Sequence, residues 1–233
     1  MTIPSRIFPN RDGSECTGRN SKLSGRMPRR PQARVGVPSH AGPVIEMEEN
    51  RAAPVDPAAG PEAPQAQYQL YIMRHGEPVS RGEARYPDDS KRPLTPQGRK
   101  RMQQIAEGLG RMEFRADWIV SSPLVRAVET AQVLAGSLAS RVPVEFSDTL
   151  GPEGSAEAVI ALLARHPDRK RTLLVGHEPG LSELARRLIG AGRQANLALK
   201  KGGCCLITFT EFPPRTPGRL VWWLTPRALR KMA

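Results

Sequence analysis

"LYIMRHGEP" runs from Leu70 to Pro78, and its two halves ask for different surroundings. Leu70, Tyr71, Ile72 and Met73 form an apolar run, so "QLYIM" (Gln69 to Met73) reads as a short strand. The run stops on Arg74, His75 and Gly76. A guanidinium and an imidazole at the last positions of a buried strand are aimed out of the end of a sheet. In an open α/β sheet, ligands bind beyond the carboxyl ends of the strands.

The chain after this stretch supplies the sheet. Residues 77 to 94 are polar, with "YPDDSKRP" (Tyr86 to Pro93) reading as loop. "LTPQGRKRMQQIAEGLGRM" (Leu94 to Met112) opens a helix with Thr95 as its N-cap and Pro96 at its first position. Ile105 and Leu109 share one face of it. "DWIVSS" (Asp117 to Ser122) is a second strand, and "SPLVRAVETAQVLAGSLA" (Ser122 to Ala139) a helix capped by Ser122 with Pro123 first. A short strand "PVEF", a helix "SAEAVIALLARH" from Ser155, a strand "RTLLVGH" from Arg171 and a helix "EPGLSELARRLIG" from Glu178 follow. "GGCCLITFT" and "RLVWWLT" close the chain as two strands, readable as a hairpin across "EFPPRTPG". Strands alternating with helices predict an α/β domain: a three-layer α/β/α arrangement around a mostly parallel sheet.

That domain is expected over residues 68–233. Residues 1–67 are rich in Arg, Pro and Ala and show no hydrophobic period, which predicts a disordered tail or an over-long start. Arg29-Arg30 lacks the apolar stretch of an export signal, and the tail lacks the apolar helix face of a transit peptide. The 39% hydrophobic content and 23 prolines of the 233-residue chain agree with one folded part beside an unfolded one. Cys16, Cys204 and Cys205 are odd in number and form no CxxC pair, so neither a disulfide framework nor a zinc site is read. A reducing, cytoplasmic setting is expected. No apolar run nears the roughly 18 residues that span a bilayer. The formal charge of +12 comes from arginines scattered along the chain, with only 5% aromatics, which favours a generally basic surface over a specific nucleic-acid site. Cys204 and Cys205 should alternate across their strand into packing, as should Trp222 and Trp223. Lys200-Lys201 reads as a solvated turn or as a pocket rim.

Three strand ends carry the chemistry. Arg74-His75 ends the first, Ser121-Ser122 the second with Arg126 just beyond, and Gly176-His177 the "TLLV" strand. Two arginines and two histidines drawn to one pocket suit a phosphoryl group. Guanidinium forks pair with phosphate oxygens two bonds at a time. An imidazole attacks phosphorus or donates to its oxygens. Helix starts after Ser122 and near Pro179 add N–H donors, and Gly76 and Gly176 read as places of close ligand approach. No carboxylate pair or His cluster asks for a metal, and no cofactor is expected.

"MRHGEP", "SSPLVRAVETAQ" and "LLVGHEPGLSEL" together resemble the histidine phosphatase superfamily. The likeness is to its compact bacterial branch, the SixA-type phosphohistidine phosphatases, which "YPDDSKRPLTPQGRKRM" and "LKKGG" also resemble. The resemblance implies the phosphoglycerate mutase-like fold. It implies His75 as a nucleophile that becomes phosphorylated, Arg74 and Arg126 as a phosphate clamp, and His177 as a phosphate ligand. Many members place a glutamate general acid after the third strand. Here that region reads "TLGPEGS", with Glu153 near the expected spot, either as the acid or as an ordinary loop carboxylate. No segment of helical length is left for a cap domain, so an open pocket is expected. The expected partner is a phosphohistidine-bearing protein of a signalling relay. A small-molecule phosphomonoesterase is the alternative, and a non-catalytic basic binding module stands behind both. The oligomeric state is not legible.

Overall fold

The computed structural model describes residues 67–137 and 142–233. The expectations placed on the tail, Cys16 and Arg29-Arg30 included, lie outside the described residues.

Six strands form one sheet in the order β3-β2-β4-β1-β5-β6. They are β1 (Tyr68–Arg74), β2 (Trp118–Ser121), β3 (Val144–Phe146), β4 (Arg171–Gly176), β5 (Cys204–Phe209) and β6 (Arg219–Leu224). The first four run parallel, and β5 and β6 are added antiparallel beside β1. The helices are α1 (Pro96–Arg111), α2 (Val125–Ser137), α3 (Ala156–Ala164), α4 (Gly180–Leu188) and α5 (Pro226–Lys231).

Alternation along β1 explains the layers. Leu70 and Ile72 point into a core shared with Leu163 of α3 and Leu184 of α4. Tyr71 and Met73 point the other way, against Met102 and Leu109 of α1, Leu134 of α2 and Leu229 of α5. Each fully buried Leu, Ile or Met side chain removes enough apolar surface to stabilise the fold by about 1.5–3 kcal/mol. The three-layer α/β/α architecture with a mostly parallel sheet is therefore what the sequence pattern predicted. Cys204 and Cys205 are split between the same two cores, as are Trp222 and Trp223. Burial raises both thiols, Cys205 to about 12, which keeps them protonated and inert.

Three of the described α-helices begin on a side-chain cap, of which the sequence reading names Thr95. Thr95 accepts from Gly98 N, Ser155 from Ala158 N and Thr225 from Ala228 N. Two readings need correction. The helix expected to start at Pro123 with Ser122 as cap starts at Val125 instead, and the backbone carbonyl of Leu124 accepts from Ala127 and Val128. Helix α5 was not foreseen, although Thr225 and Pro226 repeat the signal of Thr95 and Pro96. Its 6 residues are too few to show a period.

Between Gly76 and Thr95 the only helical element is the 3-10 turn Asp89–Lys91. No described segment forms a helical layer over the strand ends.

Candidate active site

The sheet order makes neighbours of three strand ends that the sequence keeps far apart. β4 lies between β1 and β2. His75 N donates to Gly176 O at 3.1 Å, and Ser122 N donates to Val175 O at 2.9 Å. His75, Ser122 and His177 thus hang from one continuous edge. The rings of His75 and His177 stand 4.9 Å apart.

The protonation of His75 is fixed locally. Its Nδ1 lies 2.7 Å from the carbonyl oxygen of Gly76. A carbonyl only accepts, so Nδ1 carries the proton and Nε2 holds the free lone pair. His75 is buried, and burial lowers its pKa to about 3, with the charges of His177, Arg126 and Arg74 acting in the same direction against the Gly76 bond. Burial likewise lowers His177 to about 4, helped by Arg126 and Arg74. Both rings are neutral at ordinary pH.

His177 Nε2 shares a 2.9 Å hydrogen bond with Ser122 Oγ. This gives Ser122 its actual place: it orients the second histidine and does not cap a regular helix start.

Both arginines reach this edge. Arg74 Nη1 donates to Leu199 O at 2.9 Å. Arg126 is only 4% exposed, and burial lowers its pKa while Asp89 opposes the shift. Its Nη1 and Nη2 donate to Asp89 O and Oδ2 at 2.7 and 3.0 Å. The Nε–H of Arg74 and the Nε–H of Arg126 are buried and have no hydrogen-bond partner among the described residues. An unpaired buried donor costs about 1–3 kcal/mol. Trp118 Nε1 and Arg169 Nε, away from the His75–His177 edge, are also buried and unpaired. The two beside that edge are guanidinium donors, and an oxyanion is the acceptor that guanidinium edges fit best.

Asp89 escaped the sequence reading. Its Oδ1 accepts from Arg92 Nε and Nη2 at 3.0 and 2.7 Å and from Arg81 Nε at 3.0 Å, while Oδ2 holds Arg126. Burial alone would raise its pKa. The hydrogen bonds from Arg92 and Arg81 outweigh that, with the charges of Arg126 and Arg92, and hold it at about 2. One carboxylate among three arginines leaves this corner net positive. The signal available was an Asp and an Arg three apart in a polar loop, which reads the same as a solvated turn.

Thr130 braces the nucleophile's strand end. It accepts from Gly76 N at 2.9 Å and donates to Arg126 O at 2.7 Å, tying β1 to α2. Gly76 has no room for a Cβ because one would stand 2.7 Å from Met102 Cγ. At Gly176 a Cβ would stand 2.9 Å from Leu150 O. Both glycines thus allow close packing within the protein.

Glu153 is exposed in the turn before α3 and makes no hydrogen bond or ion pair with any site residue among the described residues. Glu178 is occupied as an acceptor, taking Ser182 Oγ at 2.7 Å and Leu199 N at 2.8 Å. Among the described residues, no group of three or more His, Cys, Asp or Glu is placed to hold a metal ion, and no helix is long and apolar enough to cross a membrane.

The low histidine pKa values set a testable window. Between the unfolded value near 6.5 and the folded values of about 3 and 4, the unfolded chain binds more protons than the native one. Stability is therefore full above pH 6.5 and falls as pH drops through that window. Proton NMR of the imidazole rings should show no titration of His75 or His177 from pH 8 to about 5. A midpoint near 6.5 for either would show a solvated ring.

Comparison with known proteins places this geometry. The family model of the histidine phosphatase superfamily (branch 1) matches residues 70–151. An uncharacterised protein of Picosynechococcus sp. is 38% identical over 138 residues, which are 58% of this chain and 81% of that protein. Of solved structures, the protein histidine phosphatase SixA complexed with tungstate is similar with a TM-score of 0.60 at 24% identity, covering 69% of this chain and 99% of that one. A mycobacterial glucosyl-3-phosphoglycerate phosphatase is similar at 0.52 and 19% identity, covering 68% and 99%. The alpha-ribazole phosphatase from Shigella flexneri gives 0.52 and 20% identity, covering 68% and 96%. At these identities the structures share the fold.

Proposed function

The chain belongs to the histidine phosphatase superfamily, and on that premise we propose that it is a metal-independent phosphatase acting on phosphohistidine of another protein. One observation carries the reading. His75 is held neutral with Nδ1 on the Gly76 carbonyl and the lone pair on Nε2, at a strand edge where Arg74 and Arg126 keep unpaired buried N–H groups.

The reaction runs in two displacements. Nε2 of His75 attacks phosphorus in line, and the P–N bond to the substrate imidazole breaks. The substrate ring, protonated on its other nitrogen, departs as neutral imidazole: the P–N electron pair becomes its lone pair and no proton is needed. A water molecule then attacks the phosphorus on His75, the P–Nε2 bond breaks, inorganic phosphate leaves, and the Nε2 lone pair is restored. Arg74, Arg126 and His177 bind the equatorial oxygens, where charge gathers in the transition state. The guanidinium groups supply the positive charge.

The leaving group favours phosphohistidine over an ester. An alkoxide needs a proton from a general acid. The carboxylate nearest the arginines, Asp89, is held at about 2 and is an acceptor only at neutral pH. Glu153 is exposed and unattached to the site. An imidazole, with a reference pKa of about 6.5, leaves without such help. The alternative is a small-molecule phosphomonoesterase of the same superfamily. Phosphate release from a phosphohistidine protein, compared with a simple alkyl phosphate, separates the two. The proposal expects the first to be faster by about two orders of magnitude, matching one general-acid contribution, and Glu153→Gln to leave it within about threefold. Faster release from the ester, abolished in Glu153→Gln, would transfer the reading to an esterase with Glu153 as its acid.

A further inference from the structure

Arg74, Gly76 and Glu77 form one wall of a cleft of about 330 Å3 that adjoins the candidate active site at Arg74. Arg101 of α1, Lys200 and Lys201 of the turn before β5, and Arg230 of α5 stand around it. The only carboxylate in its lining is Glu77, and Arg101 already pairs with it. Lys200, Lys201 and Arg230 make no ion pair among the described residues. Beyond Arg74, which belongs to the candidate active site and also makes no ion pair among the described residues, the cleft therefore carries three uncompensated positive charges beside the nucleophile's strand end.

We infer that this cleft docks an acidic segment of the phosphorylated partner protein, an inference that rests on the phosphohistidine reading of His75. The turn that bears the lysines is fixed to the nucleophile. Gly202 N lies 3.1 Å from Arg74 O and 3.0 Å from His75 O, and its φ of +78° is one that glycine adopts without strain. An occupant of the cleft and a phosphoryl group on Nε2 are thus set at a constant spacing, as two features of one partner require.

The exposure of the cations decides against a site for a single small anion. Arg126, buried and with one unpaired donor, is what a dehydrated phosphate site looks like here. Lys200 and Lys201 are exposed and Arg101 is half-exposed. Of the cations around the cleft only Arg74, shared with the candidate active site, keeps a buried unpaired donor; Lys200, Lys201, Arg101 and Arg230 keep none. Solvated ammonium groups on long stems suit several carboxylates spread along a protein surface, where they steer encounter and set orientation.

The test uses the full chain and the triple variant Lys200→Glu, Lys201→Glu, Arg230→Glu. A control reverses three exposed cations outside the cleft, Arg111→Glu, Arg165→Glu and Arg193→Glu. For each, kcat/KM is measured on an acidic phosphohistidine-bearing phosphotransfer domain and on free phosphohistidine. The ratio of the two should fall about tenfold or more in the cleft variant, chiefly through KM on the protein, and stay within about twofold of the native ratio in the control. An unchanged ratio in the cleft variant, or an equal fall in the control, overturns the docking site. Fluorescence anisotropy with a labelled oligoglutamate peptide reads the cleft without turnover, so a wrong substrate is told apart from a wrong docking site. Loss of peptide binding in the cleft variant alone supports the inference. Equal binding by all three proteins overturns it.

Discussion

Replacing His75 by alanine is expected to lower turnover by about four orders of magnitude or more. The size follows from what is removed. Neither remaining partner supplies a substitute nucleophile in the same place. His177 shares its Nε2 with Ser122, and the arginines are always charged. Direct attack by water on bound phosphohistidine would still profit from the positive charge, so a residual rate survives. The fold should survive too. The replaced ring gives up one hydrogen bond, to the carbonyl of its own neighbour Gly76, while β1 keeps its register with β4 and β5 through the backbone. A thermal midpoint near that of the native protein, together with the lost rate, is the expected pair of results. A variant within tenfold of native turnover would remove His75 from the chemistry.

Arg126→Ala should cost about three orders of magnitude in kcat, the usual weight of an arginine that meets charge in phosphoryl transfer. The effect here has two parts. The guanidinium edge with its unpaired buried Nε–H is gone. Asp89 also loses one of three arginine partners and is left with Arg92 and Arg81, so the site's net charge falls by one beside an incoming anion. Arg126→Lys keeps the charge and loses the fork, and should recover only part of the rate. Full recovery by lysine would mean that charge alone matters and that the unpaired Nε–H has no role.

Hydrophobic pattern and turn residues made most of the fold legible. The continuous apolar runs of β1 and β4 announce strands buried on both faces, and Thr95-Pro96 announces α1 before any period is counted. The strand-end rule was enough to group Arg74, His75, Arg126 and His177, because each sits at or just past the end of an apolar run. What stayed hidden depended on tertiary partners. Ser122 followed by Pro123 looks like a helix cap from the sequence alone. Only the adjacency of β2 and β4 turns its hydroxyl to His177. Asp89 looks like one more loop carboxylate until the loop folds back and sets it among three arginines. Gly76 and Gly176 serve packing against Met102 and Leu150, neighbours far away in the chain. Helix α5 was missed because its signals were local and its length too short to confirm them.

The central claim is a phosphoryl group carried covalently on Nε2 of His75. The most direct measurement is rapid acid-free quenching of the native protein with a radiolabelled phosphohistidine substrate, followed by peptide mapping. The account predicts a label that is stable in base, lost in acid, confined to the peptide that contains His75, and absent from His75→Ala. Phosphate release at full rate with no labelled enzyme, or a label on any other residue, would contradict it.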